Sequence, residues 1–198
     1  MFDSSSHWDQ LHENPRFRPI YPNDHVVRFL MANRELLEKH HPARFLDIGL
    51  GAGRHTKLAA ELGFRAFGVD ISFVGLQHAR ERLLATGLQA SLSQASMLAL
   101  PYIDCSFAVL LSYGVFYYGT ANEMRRSIAE VHRILIPGGK ALVVLRTSDD
   151  YRFGKGGTTR AQYVSTHHCR DQRASQHPAL PGCGRCARVL RRVCPCGL

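Results

Sequence analysis

The first 157 residues contain a single cysteine, Cys105, and the other five of the chain's six cysteines come after it, in the tail. This excludes, for most of the chain, the disulfide framework that stabilises small secreted domains. No apolar run reaches the ~20 residues of a membrane-spanning helix. The N-terminus MFDSSSHWDQ has neither the basic start nor the apolar segment of a secretory signal. We therefore expect a cytoplasmic protein with no membrane partner.

Acidic residues are nearly missing from the end of the chain. Taken whole, the net charge of +9 suits an anionic partner such as nucleic acid. However, residues 158–198 hold seven arginines and one acid, so this tail carries +6 of that charge. The remaining residues are nearly balanced, and nucleic acid is disfavoured as a partner. The chain has 198 residues and is 45% hydrophobic, which suits one globular domain with a sizeable core.

Apolar spacing divides the chain into an N-terminal segment, a central domain and a tail. Residues 1–40 predict an irregular arm that leads into a cap helix, with Asn23 or Asp24 as its N-cap. Residues 41–157 alternate short apolar runs with segments of helical period, which predicts a Rossmann-like, doubly wound α/β domain with a mostly parallel sheet. Strands are expected at 44–49, 65–70, 88–93, 107–112 and 139–146, and helices near 54–62, 73–86 and 121–136.

Helix-capping and turn residues support these boundaries. Gly63 and Gly87 fall where helix C-caps belong. Thr120 and Glu123 have the spacing of a capping box. The run Pro137-Gly138-Gly139 predicts a turn into the last strand.

The stretch FLDIGLGAGRHT, residues 45–56, follows the first strand and opens a helix, where doubly wound sheets bind their ligands. Dinucleotide enzymes use G-x-G-x-x-G, whereas here Arg54 occupies the third glycine position and Asp47 precedes the first glycine. A carboxylate beside the loop repels a diphosphate, and it can accept from a cationic ammonium. At the end of the second strand, Asp70 is placed to accept from both ribose hydroxyls.

These motifs resemble those of the class I S-adenosylmethionine-dependent methyltransferases, in particular the small-molecule branch with a type 11 or type 25 domain. DIGLGAG is similar to the family's motif I, and VDIS to its ribose-binding acid. ASMLALPYIDCSFAVLLS and RILIPGGKALVV are similar to its third-and-fourth-strand region and its strand-five signature. The resemblance implies an enzyme that moves a methyl group from S-adenosylmethionine to a small-molecule acceptor by in-line displacement.

The resemblance also implies roles for individual residues. Asp70 would hold the ribose and Ile71 would pack on the adenine, which Ser96 and Met97 would border. The family usually has an acid at the Ser96 position and Phe-Asp where this chain has Phe107-Ala108. The implied cofactor-binding residues are Asp47, Gly49, Leu50, Gly51, Gly53, Asp70, Ile71, Ser96, Met97 and Ser112.

Acceptor-binding residues are less well defined by the sequence. No motif identifies a general base, which methyl transfer from a sulfonium needs only when the nucleophile is poor. Aromatic residues after the fourth strand can line an acceptor pocket or pack beneath a loop. A histidine at a helix start can approach the acceptor or cap the helix. The candidates are Tyr21, His55, Tyr113 and Tyr117.

Two functions from other classes stay open at this stage. A domain without its last strands would bind the cofactor without catalysing transfer. A nicotinamide-dependent oxidoreductase is disfavoured by Asp47 and Arg54. Family members continue after strand five with a helix and a two-strand hairpin, but residues 158–198 lack the matching periodicity. We therefore expect the C-terminal strands to be missing.

The tail itself allows several interpretations. It has arginine without lysine and clustered cysteines, which suggests a disordered or non-native segment, such as one read in a shifted frame. A zinc site is the alternative, because thiolates and imidazoles are zinc ligands. Nucleic-acid binding through the arginines is a third interpretation. The candidate zinc ligands are His167, His168, Cys183, Cys186, Cys194 and Cys196.

Removing residues 158–198 tests the first interpretation. The melting temperature should then stay within about 2 °C, because a segment without a packed core adds little to the free energy of unfolding. Thermal unfolding of the full and shortened chains measures this. A large drop in melting temperature would show that the tail is folded.

Overall fold

In the computed structural model the chain is described over residues 4–146. Five strands form one sheet in that range, with the order β3-β2-β1-β4-β5, and every neighbouring pair is parallel. This confirms the predicted Rossmann-like α/β fold class. The strands are β1 (Arg44–Ile48), β2 (Arg65–Asp70), β3 (Ser91–Gln94), β4 (Phe107–Tyr113) and β5 (Leu135–Val144). The helices are α1 (Ser4–Glu13), α2 (Asp24–Ala32), α3 (Glu35–Lys39), α4 (Arg54–Glu61), α5 (Phe73–Leu84) and α6 (Ala121–Ile134), with 3₁₀ turns at Pro15–Phe17 and Phe116–Tyr118.

Local sequence signals define several of the helix boundaries. The hydroxyl of Thr120 accepts from the N–H of Glu123, and the Glu123 carboxylate accepts from the N–H of Thr120, so the predicted capping box opens α6. Gly63 and Gly87 follow α4 and α5 with φ of +93° and +67°. Glycine adopts this left-handed conformation without steric cost, which explains why both helices end there.

The start of β5 differs from the prediction. Leu135 already pairs with Phe107, so the strand begins four residues before the predicted position 139. The register then shifts, and Lys140 pairs with Val109. The Pro137-Gly138-Gly139 run lies inside this irregularity, with Gly138 at φ +78°. It therefore bends a strand that has already begun.

The N-terminal segment is more regular than the predicted arm. Residues 4–13 form α1, although their sequence SSSHWDQLHE has few apolar residues at helical spacing. Contacts with α5 stabilise this helix instead. One carboxylate oxygen of Asp9 accepts from the Ser72 hydroxyl at 2.7 Å and from the Val74 N–H at 3.1 Å. Asp9 thus caps the N-terminus of α5 from another helix.

The sheet is buried on both faces by the helices. On one face Phe45 of β1 packs with Val26 and Leu30 of α2. On the other face Leu46 and Ile48 of β1 pack with residues of β2, β4 and α6. Successive side chains of a strand point to opposite faces, so β1 contributes to both layers. The carboxyl end of β1 is therefore held firmly from both sides.

Residues 147–198 lie outside the described range. The expected loss of the last strands, the zinc ligands and the alternative interpretations of the tail all fall there. In residues 4–146 no helix has the length and apolar character needed to cross a membrane. The same residues contain no cluster of three or more histidine, cysteine or carboxylate side chains that could hold a metal ion.

Gly53 joins the glycine loop to α5 by close packing. A Cβ at this position would stand 2.8 Å from Cβ of Ala79 and 3.2 Å from its Cα, and φ is +75°. Any side chain would therefore clash with the α5 backbone in addition to straining its own. Gly63 has a similar φ, but its missing Cβ would meet no atom within 4 Å.

We predict that Gly53→Ala lowers the free energy of unfolding by about 2–4 kcal/mol, because an overpacked contact adds to the left-handed strain. Gly63→Ala is the matched control, with an expected loss of about 1 kcal/mol from strain alone. Urea unfolding of both variants measures the difference. Equal losses would contradict the packing role of Gly53.

Candidate active site

A cavity of about 370 Å³ opens at the carboxyl ends of the central strands. Its volume falls within the range of small-molecule sites, roughly 300–1,000 Å³. The cavity lies where the strand order reverses between β1 and β4, which is the usual ligand position in doubly wound sheets. The predicted site residues that line it are Gly49, Leu50, Gly51, His55, Asp70, Ile71, Ser96, Met97 and Tyr113.

The glycine loop forms one side of the cavity. The N–H groups of Gly49 and Leu50 donate to the Val69 carbonyl at 2.8 and 3.2 Å, which ties the loop to β2. Gly49 and Gly51 have φ of +71° and +53°. These left-handed conformations turn the chain sharply after β1, and glycine adopts them without penalty. The loop backbone is thereby exposed to a ligand in the cavity.

Asp70 ends β2 and is 7% exposed. One carboxylate oxygen accepts from the Gly51 N–H at 2.7 Å, and the other accepts from the Ser72 N–H at 2.9 Å. Burial raises the pKa of Asp70, and these two N–H groups act in the opposite direction. A carboxylate offers roughly four acceptor positions. The site therefore keeps capacity for hydroxyl donors of a ligand.

Asp47 stands apart from the cavity. It is 1% exposed, does not line the cavity, and accepts from the Thr56 hydroxyl at 2.9 Å. Burial raises the pKa of Asp47 to about 7, against the effect of the Thr56 hydrogen bond. This carboxylate links β1 to α4. Gly53 and Ser112, two other predicted cofactor residues, also lie outside the cavity lining.

Another part of the cavity lining is aromatic. The His55 and Tyr113 rings pack with centroids 5.2 Å apart, and the Arg54 guanidinium lies 5.5 Å from the Tyr113 centroid. Nε2 of His55 accepts from the Asn23 N–H at 3.3 Å. Burial, and secondarily the charge of Arg54, lower the pKa of His55 to about 3. His55 is therefore uncharged at neutral pH and holds the N-terminal segment in place.

The other two acceptor candidates do not line the cavity. The Tyr21 side chain is 81% exposed, and only its backbone carbonyl contributes, by accepting from Arg54 at 3.1 Å. The Tyr117 ring lies beneath the Arg146 guanidinium at 4.4 Å. The fold therefore does not place these two tyrosine side chains in the cavity lining.

Sequence reasoning missed the contribution of α1. Trp8 and His12 line the cavity together with Phe17 and Pro19 from the segment that follows. Trp8 and His12 are four residues apart, a spacing that puts two side chains on the same helix face. That spacing is the one signal in the sequence that could have revealed them. Glu123, the capping residue of α6, lines the cavity as well.

Comparison with known proteins identifies the domain. Residues 45–139 match the family described as a methyltransferase domain. A demethylmenaquinone methyltransferase of Thermus thermophilus is 31% identical over 106 residues, which cover 52% of this chain and 47% of that relative. The probable tRNA methyltransferase 9B of Homo sapiens is 30% identical over 112 residues, covering 56% of this chain and 23% of that relative. The chain carries a class I S-adenosylmethionine-dependent methyltransferase domain.

Solved structures agree with this assignment. A structure from echinomycin biosynthesis, concerning the conversion of a disulfide bond into a thioacetal group, has a TM-score of 0.61 and 25% identity, covering 71% of this chain and 59% of that one. A putative S-adenosyl-L-methionine-dependent methyltransferase of Methanococcus maripaludis has a TM-score of 0.57 and 20% identity, covering 71% of this chain and 63% of that one. The latter similarity shows a shared fold. This chain spans less than half of the length of either curated relative above.

S-adenosylmethionine is the cofactor of this methyltransferase domain, and the cavity suits it chemically. The buried Asp70 carboxylate matches the hydroxyl donors of a ribose. Ile71 and Met97 supply apolar surface at the β2 and β3 ends, where an adenine ring could pack. The glycine loop offers backbone that a ligand can approach closely. The residues present therefore fit this group.

We predict that Asp70→Ala weakens the binding of S-adenosylhomocysteine by about 1–3 kcal/mol, because it removes a charged hydrogen-bond acceptor. Isothermal titration calorimetry measures the affinity. Asp24→Ala, which changes an exposed carboxylate outside the cavity, is the control and should bind like the original chain. Asp70→Asn keeps one oxygen that can accept from the loop N–H groups. Its affinity should lie between those of Asp70→Ala and Asp24→Ala. Unchanged affinity of Asp70→Ala would rule out Asp70 as the ribose ligand.

Proposed function

We propose that this chain transfers the methyl group of S-adenosylmethionine to a small-molecule acceptor. The observation that carries the proposal is one cavity lined by two chemically distinct groups of residues. One group is the glycine loop and the buried Asp70 carboxylate, and the other is the His55 and Tyr113 rings beside the Arg54 guanidinium. A cofactor and an acceptor can therefore meet in one cavity. The similarity to a demethylmenaquinone methyltransferase supports an acceptor of small size.

The residues divide into those that contact ligands and those that hold the contact residues. We assign cofactor binding to Gly49, Leu50, Gly51, Asp70, Ile71, Ser96 and Met97, because all of them line the cavity. Asp47 and Gly53 support the contact residues indirectly. Asp47 accepts a hydrogen bond from Thr56, and Gly53 packs on Ala79. Ser112 is buried within β4 beside the central strand. Asp47 and Gly53 thus stabilise the loop and strand ends, and none of the three lines the cavity.

When bound, S-adenosylmethionine supplies a methyl group on a sulfonium, a leaving group that needs no protonation. The protein's part is then to orient the acceptor and to exclude water. Tyr113, Phe17 and Trp8 provide apolar surface within the cavity. His55 is engaged with the Asn23 N–H, so it orients the segment before α2. Arg54 brings one positive charge to the cavity and favours an acceptor that is anionic or electron-rich.

Calorimetric titration with S-adenosylhomocysteine and, separately, with NADH tests the cofactor. We expect binding of S-adenosylhomocysteine in the micromolar range and no heat of binding with NADH. Binding of NADH alone would instead support the oxidoreductase interpretation. The absence of binding to either ligand would contradict the proposed function.

Formation of S-adenosylhomocysteine from S-adenosylmethionine tests methyl transfer. The chain is incubated with S-adenosylmethionine and a panel of quinol, phenol, amine, thiol and carboxylate acceptors. At least one class should give more S-adenosylhomocysteine than the reaction without acceptor. Cofactor binding without product formation for any class would favour a cofactor-binding domain that does not catalyse transfer.

A further inference from the structure

We propose that α1 forms part of the cofactor site and that His12 is a cofactor-binding residue, its Nδ1 forming a hydrogen bond with the ribose of the adenosyl group. The inference rests on the proposed function, because it takes the cavity as the site of S-adenosylmethionine. It adds a helix and a side chain that neither the glycine loop nor the strand ends provide.

The first observation is the position of the His12 ring. It is 8% exposed, lines the cavity, and sits between the glycine loop and the first turn of α5. A Cβ on Gly51 would stand 3.1 Å from Cε1 of this ring, and a Cβ on Gly75 would stand 3.1 Å from its Cδ2. Both elements thus present glycine where the imidazole approaches them. The ring is packed into the site with little room to leave it.

The second observation is an unsatisfied polar atom. Nδ1 of His12 is buried and has no hydrogen-bond partner among the described residues. Leaving a buried polar group unpaired costs about 1–3 kcal/mol, so such groups in native proteins normally have a partner. Because this ring lines the cavity, a ligand in the cavity is the natural source of that partner.

The chemistry beside His12 selects the ribose. Burial lowers the pKa of His12, against the effect of the Asp70 carboxylate, which favours the neutral ring with a proton on one of its two nitrogens. A ribose hydroxyl both donates and accepts. It can donate to the Asp70 carboxylate while it accepts from Nδ1–H. Asp70 and His12 are therefore complementary partners for the same hydroxyl group.

The third observation is that α1 is anchored to the residue that holds Asp70. The Ser72 hydroxyl donates to Asp9 of α1 at 2.7 Å, and the Ser72 N–H donates to Asp70 at 2.9 Å. Ser72 also accepts from the Gly75 N–H at 2.9 Å as the N-cap of α5. One serine thus connects α1, the ribose acid and α5. This network fixes the position of α1, and with it His12, relative to Asp70.

The test is calorimetry on the full chain and on single variants, with S-adenosylhomocysteine and with 5′-methylthioadenosine, which lacks the amino-acid part. His12→Ala should bind both ligands at least tenfold more weakly, by the same factor. His12→Asn should recover most of the affinity, since its amide can place a hydrogen-bonding group near the position of Nδ1. His7→Ala, an exposed histidine of the same helix that does not line the cavity, should bind normally.

The outcomes separate the two proposals. An original chain that binds neither ligand would overturn the proposed function and this inference with it. An original chain that binds, together with His12→Ala that binds equally well, would overturn this inference alone. If His12→Ala binds S-adenosylhomocysteine more weakly but 5′-methylthioadenosine normally, His12 contacts the amino-acid part of the ligand. That result would overturn the assignment of His12 to the ribose.

Trp8 gives a readout that needs no variant. It is the only tryptophan of the chain, it lines the cavity on α1, and its ring stands edge-on to Tyr118 with centroids 4.7 Å apart. If α1 belongs to the site, saturation with S-adenosylhomocysteine should change the Trp8 emission and reduce its quenching by acrylamide at least twofold. Calorimetric saturation with no change in either signal would show that α1 is not part of the site.

Discussion

The hydrogen bond from the Gly51 N–H to the Asp70 carboxylate joins the two halves of the candidate site. It closes the loop after β1 onto the end of β2, and it fixes both at the point where the parallel strands present their carboxyl ends. A short bond to a buried carboxylate is stronger than a neutral one, and it is costly to break. The glycine loop, the first turn of α5 and α1 all take their positions from this carboxylate or from its neighbour Ser72.

The N-terminal segment completes the site from outside the sheet. Hydrogen bonds hold it against the domain, among them those from Ser72 to Asp9, from Arg82 to the Pro19 carbonyl and from Arg54 to the Tyr21 carbonyl. The two arginine side chains satisfy backbone carbonyls of the stretch between α1 and α2, and the serine binds a carboxylate of α1 itself. Trp8, His12, Phe17 and Pro19 reach the cavity as a result.

Sequence reasoning predicted the features that depend on local chemistry. The order of strands and helices from β1 to β5, the capping box of α6 and the left-handed glycines after α4 and α5 follow from residue type and spacing alone. The position of Asp70 in the cavity follows in the same way, because parallel strands align their carboxyl ends.

The rest depends on contacts between distant residues. The helix α1 has a weak apolar pattern and is held by a cap on α5, more than sixty residues away. The sequence places Asp47 beside the glycines, but its side chain accepts a hydrogen bond from Thr56 of α4. This partner depends on how α4 packs against β1. The early start of β5 depends on pairing with Phe107. Tyr21 and Tyr117 have suitable chemistry, but their side chains are not part of the cavity lining.

The most direct test of this account is a crystal structure of the chain with S-adenosylhomocysteine. We expect the ligand in the cavity at the ends of β1, β2 and β4, with a ribose hydroxyl within hydrogen-bonding distance of the Asp70 carboxylate. The glycine loop should keep its bond from Gly51 to Asp70. A ligand bound elsewhere, or an Asp70 carboxylate that does not contact it, would contradict the account.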